Sequence, residues 1–273
     1  YSSDDRNSEY EKNIKSWSCN LDIPNFGNKN VEKSSLANLS GFIYSRSEEV
    51  TLIVNAGTDI SKQKFAKGHL QSDLLSFVLF KNGQEIINHA GTYEYTKESI
   101  TYFRGTWGHN TIKINGMEQH GWQDQSQADH YANGFVDLIE EKNGSHHIAM
   151  HHDGYHRINV KHKRDIIHDL KKMTITITDW IEGIGDHHFE YIIHFAPGIE
   201  CTLSGNKILI KNIGTVKIDF PENCSMELFY GDEHPGAWCS RTLLKKEPIK
   251  LLIISGEFSR KIKLTTFLHY AMS

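Results

Sequence analysis

The sequence predicts an all-β fold, a large antiparallel β-sandwich. Three observations carry that expectation. Short alternating apolar and polar segments recur roughly every 8–15 residues, turns bearing Gly or Asn separate them, and no long helical period intervenes. Strands alternating with helices, which would build a parallel sheet, are absent.

Residues 1–37 are polar, and Pro24, Gly27 and Asn28 break what periodicity there is. They read as a linker or tail from a preceding domain, with one short helix around Glu9–Trp17. Residues 38–273 read as one sandwich domain. Phe42–Tyr44 and Val50–Val54 open it as strands, and Leu74–Phe80 is an apolar run closed by Lys81-Asn82-Gly83. Gln84–Asn88 returns from that turn, which makes a hairpin. Thr111–Asn115 and Thr174–Thr178 alternate, the latter with Ile175 and Ile177 on one face. Glu190–Phe195, Lys207–Lys211, Thr215–Phe220, Met226–Tyr230, Ile249–Ser255 and Lys261–Tyr270 continue the series. The basic stretches Lys161–Arg164 and Lys171-Lys172 read as solvated strand ends.

Composition narrows the function classes. The 273 residues are 38% hydrophobic and 23% charged, as in a folded globular protein. The formal charge of -4 argues against nucleic acid as a bulk electrostatic partner. No run approaches the roughly 20 apolar residues of a membrane span, and no apolar signal segment opens the chain. Because the chain starts at Tyr1, it is expected to be processed, truncated or excised from a longer protein. Cys19, Cys201, Cys224 and Cys239 stand far apart with no Cys-x-x-Cys, so isolated thiols are expected and three pairings stay open. Serine-nucleophile, P-loop and dinucleotide signatures are absent.

The candidate chemistry lies in residues 68–111. His69 and His109 stand at its two ends, each read as a strand start, and a histidine there can act as acid, base or metal ligand. Alternation puts His69, Gln71 and Asp73 on one face if the segment is extended. Arg104 can hold a carboxylate in two-pronged fashion. Tyr93 and Tyr95, with Tyr102, offer hydroxyls and ring faces for a sugar. Asn88 precedes the Gly91-Thr92-Tyr93 turn. A second histidine tract runs through His146-His147, His151-His152, His156 and His162. Exposed strand and loop histidines are the favoured reading there, ahead of a metal site supporting a hydrolase.

Three segments together resemble a known family. Gly68-His69-x-Gln71-x-Asp73-x-Leu75-Ser76-Phe77, Asn88-x-x-Gly91-Thr92-Tyr93-x-Tyr95 and Phe103-Arg104-Gly105-Thr106-x-x-His109-Asn110-Thr111 are similar to the C-terminal domain of heparinase II/III-like polysaccharide lyases. Leu39–Ala56, His162–Gly183 with Asp179, His194–Pro197 and Tyr230–Ser240 extend the resemblance over roughly residues 38–256. It implies a β-sandwich packed on an N-terminal α/α toroid, which is absent from this chain, with the active site in the cleft between them. It also implies β-elimination on uronate glycans such as heparan sulfate or another glycosaminoglycan, or alginate, by a bacterial enzyme acting in the periplasm or outside the cell. His69 takes the position of the catalytic histidine, while the partner tyrosine would come from the toroid. The acidic polysaccharide and the toroid are thus the expected partners. The isolated chain is expected to be inactive.

The resemblance further implies a structural zinc at the positions of Gln71, Asn88 and His109. Only His109 keeps a good zinc ligand, since amides bind zinc poorly. No cofactor is firmly predicted; zinc there, or an oxygen-liking ion such as calcium near Asp73, are the open candidates. The alternative function is a non-catalytic glycan-binding or scaffold module in surface-polysaccharide metabolism.

Overall fold

A computed structural model describes residues 34–57, 70–122 and 128–271. The chain divides into two compact units, Tyr1–Ser34 and Ser35–Ser273. The described strands all belong to the second, which opens with β1 (Ser35–Leu39), ahead of the sequence boundary at residue 38. The helix expected around Glu9–Trp17 lies outside the described residues.

The domain is an antiparallel β-sandwich. One layer is an eight-stranded sheet of β9 (Gly134–Lys142), β10 (Ser145–His152), β11 (Val160–Asp169), β12 (Thr174–Gly183), β14 (Cys201–Ser204), β15 (Lys207–Ile210), β16 (Gly214–Asp219) and β21 (Lys261–Tyr270). Its spatial order is β14-β15-β16-β21-β12-β11-β10-β9. Facing it are two smaller sheets. β1, β2 (Phe42–Arg46), β3 (Val50–Asn55), β4 (Phe77–Lys81) and β5 (Gln84–Ile87) form a five-stranded meander. β6 (Ile112–Ile114), β13 (His187–His194), β17 (Ser225–Tyr230) and β20 (Lys250–Phe258) form a four-stranded sheet ordered β17-β20-β13-β6. A bridge between Ile87 and Phe195 joins these two into one layer. Two hairpins, β7 (Gly121–Trp122) with β8 (Ala128–His130) and β18 (Trp238–Thr242) with β19 (Lys245–Pro248), complete the strands.

Period-two alternation explains the burial. In β12 the inward Ile175, Ile177 and Ile181 are fully buried, and in β21 Ile262, Leu264 and Leu268 join them in one continuous core with Leu52, Phe77 and Phe195. The β4–β5 hairpin turns through Asn82 and Gly83, whose φ angles of 49° and 78° suit the twist of a two-residue hairpin.

Three local expectations are corrected. The apolar run at Leu74–Phe80 becomes strand only at Phe77, because Leu74–Ser76 turns back on itself with Leu75 at φ 62°. Residues 70–76 are therefore a loop, and alternation does not align Gln71 with Asp73. A short helix, α1 (Lys97–Phe103), stands between β5 and β6 where none was read. Finally, Lys161–Arg164 is not a solvated strand end. It lies inside β11, with Lys161 and Lys163 exposed and His162 and Arg164 fully buried.

The histidine tract is corrected with it. His146, His152 and His162 are buried, where exposure is the expectation, and His168 is buried beside them. The Gly154 N–H donates to His152 Nδ1 (3.1 Å), so His152 carries its proton on Nε2. That proton points to His162 Nδ1 (3.1 Å), and His162 Nε2 then donates to Asp179 Oδ1 (2.8 Å). Arg164 closes the chain by donating from Nε to Asp179 Oδ1 (2.7 Å) and from Nη2 to Oδ2 (3.1 Å). Both rings are neutral, since burial above all holds their pKa values down. A second buried set links the layers. Ser45 Oγ on β2 sits 2.8 Å from His146 Nδ1 and 2.8 Å from His168 Nδ1, and His168 Nε2 is 2.9 Å from the Tyr270 hydroxyl. Among the described residues Cys201, Cys224 and Cys239 are free thiols.

Breaking the buried ion pair from one side leaves the partner charge stranded. Asp179→Ala is expected to destabilise the domain by about 3–5 kcal/mol, whereas Arg164→Met combined with Asp179→Leu should cost less than the single change. Guanidinium unfolding of the three proteins measures this.

Candidate functional site

The three sequence segments that carried the resemblance meet around Asn110. Its side-chain amide donates to Phe77 O (2.7 Å) and Asn88 O (2.8 Å), which fixes Oδ1 as the acceptor. Oδ1 receives the His194 backbone N–H (2.7 Å) and faces His194 Nδ1 (3.1 Å). Thr111 Oγ1 donates to Leu74 O (2.9 Å), and Gln119 grips the same residue from both sides of its amide, accepting from Leu74 N (2.8 Å) and donating to Leu74 O (3.0 Å). The loop before β4 is therefore held by backbone hydrogen bonds to buried side chains, which is how a loop keeps a defined shape.

His69 lies outside the described residues. Its neighbourhood is nonetheless defined from Leu70 onward. Arg104 donates from Nε to Leu70 O (2.6 Å) and accepts the Ser72 N–H on its own carbonyl (2.9 Å). Gln71 is half-buried, and its carbonyl accepts from His120 Nε2 (3.1 Å). Burial pushes the Asp73 carboxyl up to about 6, with an Asn55 hydrogen bond acting the other way.

Asn88 ends β5. Its N–H donates to His194 O (3.1 Å), and its Oδ1 accepts from the His89 N–H (2.8 Å). The Gly91-Thr92-Tyr93 turn docks on β18: Ser240 Oγ donates to Thr92 O (2.9 Å) and Thr92 N donates to Ser240 O (3.2 Å). Gly91 is required there, because at φ 80° a Cβ would overlap the Ser240 carbonyl. Tyr93 is half-buried, with its ring 5.9 Å from Phe103 and the Lys246 ammonium 5.6 Å away. Tyr95 is 57% exposed. No described contact brings Tyr95 to the histidines.

His109 is buried, and its Nε2 has no hydrogen-bond partner among the described residues. Its ring stacks on His89 at 5.8 Å. Burial first, then the proximity of His89 and His194, holds its pKa well below the ordinary value. Burial likewise lowers His194 to about 3 and His120 to about 4. His194 Nε2 also lies 3.2 Å from the Tyr102 hydroxyl, which donates to Gly236 O. Sequence reasoning assigned no role to His89, His194, His120 or Gln119; the partners of His194, His120 and Gln119 include loop residues dozens of positions away, which no local pattern reveals. Asn110 was legible within the His-Asn-Thr motif, but its role as the junction was not.

The residues present do not fit a zinc ion. Gln71 and Asn88 supply amides, and the Asn88 carbonyl oxygen Oδ1 is already bonded to the next residue. Among the described residues no group of three or more His, Cys, Asp or Glu side chains could hold a metal ion. One unpartnered nitrogen on His109 is not a ligand set.

With this geometry in place, the relationships of the chain are informative. The family model described as heparinase II/III-like, C-terminal, matches residues 30–265. The chain belongs to that family, which makes it a polysaccharide-lyase-type sandwich module. Among solved structures it is similar to a heparinase III gene product, with a TM-score of 0.70 and 19% identity over 97% of this chain and 42% of that one. It is also similar to the heparan sulfate lyase HepC from Pedobacter heparinus, with a TM-score of 0.69 and 13% identity over 100% of this chain and 43% of that one. A further heparinase III structure gives a TM-score of 0.68 at 16% identity, over 87% of this chain and 36% of that one. At these identities the likeness is one of fold. The chain spans about two fifths of the length of those proteins. No curated protein matches it. Among the described residues no helix is long and apolar enough to cross a membrane.

Two expectations follow from the site. Chelator treatment should leave the melting temperature unchanged, and metal analysis should find far less than one zinc per chain; stoichiometric zinc would show that the amide positions still accept it. Acid should weaken the fold. The folded pKa values of His120, His168 and His194 lie at about 4, 4 and 3, below the ordinary 6.5. Their contribution is therefore complete above pH 6.5 and is lost as pH falls toward 4. At pH 5 each withdraws about 2 kcal/mol. Thermal melts at pH 7.5 and pH 5 measure the loss.

Proposed function

We propose that this chain is the C-terminal sandwich of a polysaccharide lyase that cleaves uronic-acid-containing glycans by β-elimination, and that it forms one wall of the cleft. The observation that supports it best is the Asn110 junction, which gathers the family's motif segments at one place. β-Elimination needs the uronate carboxylate neutralised, the C5 proton removed, and the leaving O4 protonated. His69 is the acid or base in this reading. Arg104, held on the Leu70 carbonyl next to His69 in sequence, brings positive charge for the carboxylate. Tyr93 and Tyr95 bind the sugar. The remaining groups come from an N-terminal toroid, and the enzyme works in the periplasm or outside the cell. The solved lyases that share the fold include one whose name specifies heparan sulfate, and this supports testing that glycan first.

The second reading, a glycan-binding module without catalysis, is favoured by one feature: amides occupy two positions where the resemblance implies ionisable ligands. The test is direct. The full-length protein is incubated with heparan sulfate, alginate and other uronate glycans, and the ultraviolet absorbance of the unsaturated uronate product is followed. His69→Ala is expected to lower kcat by about 10²-fold or more. Binding without any product would support the module, and an active His69→Ala protein would remove His69 from the chemistry.

A further inference from the structure

The face of the eight-stranded sheet opposite the motif carries an ordered array of charge. Strand register sets it. Lys163 on β11 pairs with Trp180 on β12, which pairs with Lys263 on β21. One step along, Lys161 pairs with Glu182, which pairs with Lys261. The four lysines thus stand at the corners of a grid around Trp180 and Glu182. Its sides are two strand spacings, roughly 10 Å, by two residues, roughly 7 Å.

Trp180 organises the grid. Its Nε1 donates to Asp165 Oδ2 (3.2 Å), which fixes the half-buried ring. The Lys261 and Lys263 ammonium groups lie 4.5 and 4.9 Å from the ring centroid. Cation–π attraction holds both side chains in place, so less rotamer freedom is lost when they grip an anion. The carboxylates that face the grid are Glu182, 2.6 Å from Lys261, and Asp165, 3.4 Å from Lys163. Lys161 and Lys263 form no ion pair among the described residues. Four cations against two anions leave the grid positive within a chain of net charge -4. The row continues through His151 to Phe135, whose rings stack at 4.9 Å and extend the platform along the sheet, while Asp137, 2.9 Å from His151 Nδ1, sets its negative edge.

We infer that this face is a second, non-catalytic binding site for an acidic polysaccharide. The charge is complementary, and the lysine spacing is on the scale of one disaccharide of an extended glycan. The site lies on the far side of the sheet from the Asn110 junction, since Trp180 alternates with the inward Asp179. It would hold the polymer while the cleft works on another stretch of it. The inference takes its ligand class from the lyase reading but does not need catalysis.

Binding of heparan sulfate oligosaccharides to the purified chain, followed by calorimetry, tests it. The double change Lys161→Glu/Lys263→Glu, at two strand positions facing solvent, is expected to weaken binding at least tenfold with an unchanged melting temperature. Trp180→Leu keeps every charge and is expected to weaken binding severalfold by releasing the lysines. Binding that survives the lysine reversal overturns the inference, as does duplex DNA binding as tightly as heparan sulfate, which would mark plain ion exchange. In the full-length protein the lysine reversal should raise KM on the polymer and leave turnover of a tetrasaccharide unchanged. A protein that binds at the grid yet yields no unsaturated product would sink the lyase reading and leave this one standing.

Discussion

The Arg164–Asp179 pair is the constraint on which the site depends. Arg164 is fully buried between the layers and spends its donors on both. Nε and Nη2 bind Asp179 on the neighbouring strand, while Nη1 donates to Leu75 O and, at 2.8 Å, to Asn110 O. A guanidinium suits this task because its planar fork fixes several acceptors at once. A buried charge is costly unless every donor is used. The geometry of the loop before β4 is therefore locked to the charge pair in the opposite sheet. The left-handed Leu75 sits where that lock closes, a conformation a leucine adopts only when its surroundings compel it.

From Leu75 and Asn110 the constraint spreads through neutral groups. Asn110 passes it to Asn88 and His194, and Gln119 passes it to Leu74. The buried His120, His152 and His162 extend the same scheme, each serving as donor on one nitrogen and acceptor on the other. That arrangement works only while the rings are neutral. Burial keeps them so, and it ties the fold to neutral or higher pH. It also suggests why amides can stand at Gln71 and Asn88. Hydrogen bonds to backbone already fix the loop, so a metal is not needed to cross-link it.

The eight-stranded sheet serves two ends with its two faces. Its inner side chains, His162, Arg164 and Asp179, fix the motif loops. Its outer side chains, one residue out of phase, form the lysine grid around Trp180. Period-two alternation is what allows a stretch such as Lys161-His162-Lys163-Arg164 to be structural and interactive at once.

The sequence by itself determined the fold class, most strands and the family, because alternation, turn residues and spaced motifs are local signals. It bounded Lys261–Tyr270 as a strand and found the Asn82-Gly83 hairpin. It failed at Leu74–Ser76, where apolar residues fill a turn that Arg164 and Gln119 hold from elsewhere in the chain. It also failed in β11, where four polar residues in a row conceal an alternation of buried and exposed side chains. Tertiary structure alone decided that Arg164 is buried, that Asn110 joins the motif segments, and that lysines of β11 and β21 flank one tryptophan. Each of these rests on partners brought together by strand register across tens of residues, and only the folded sheet sets that register.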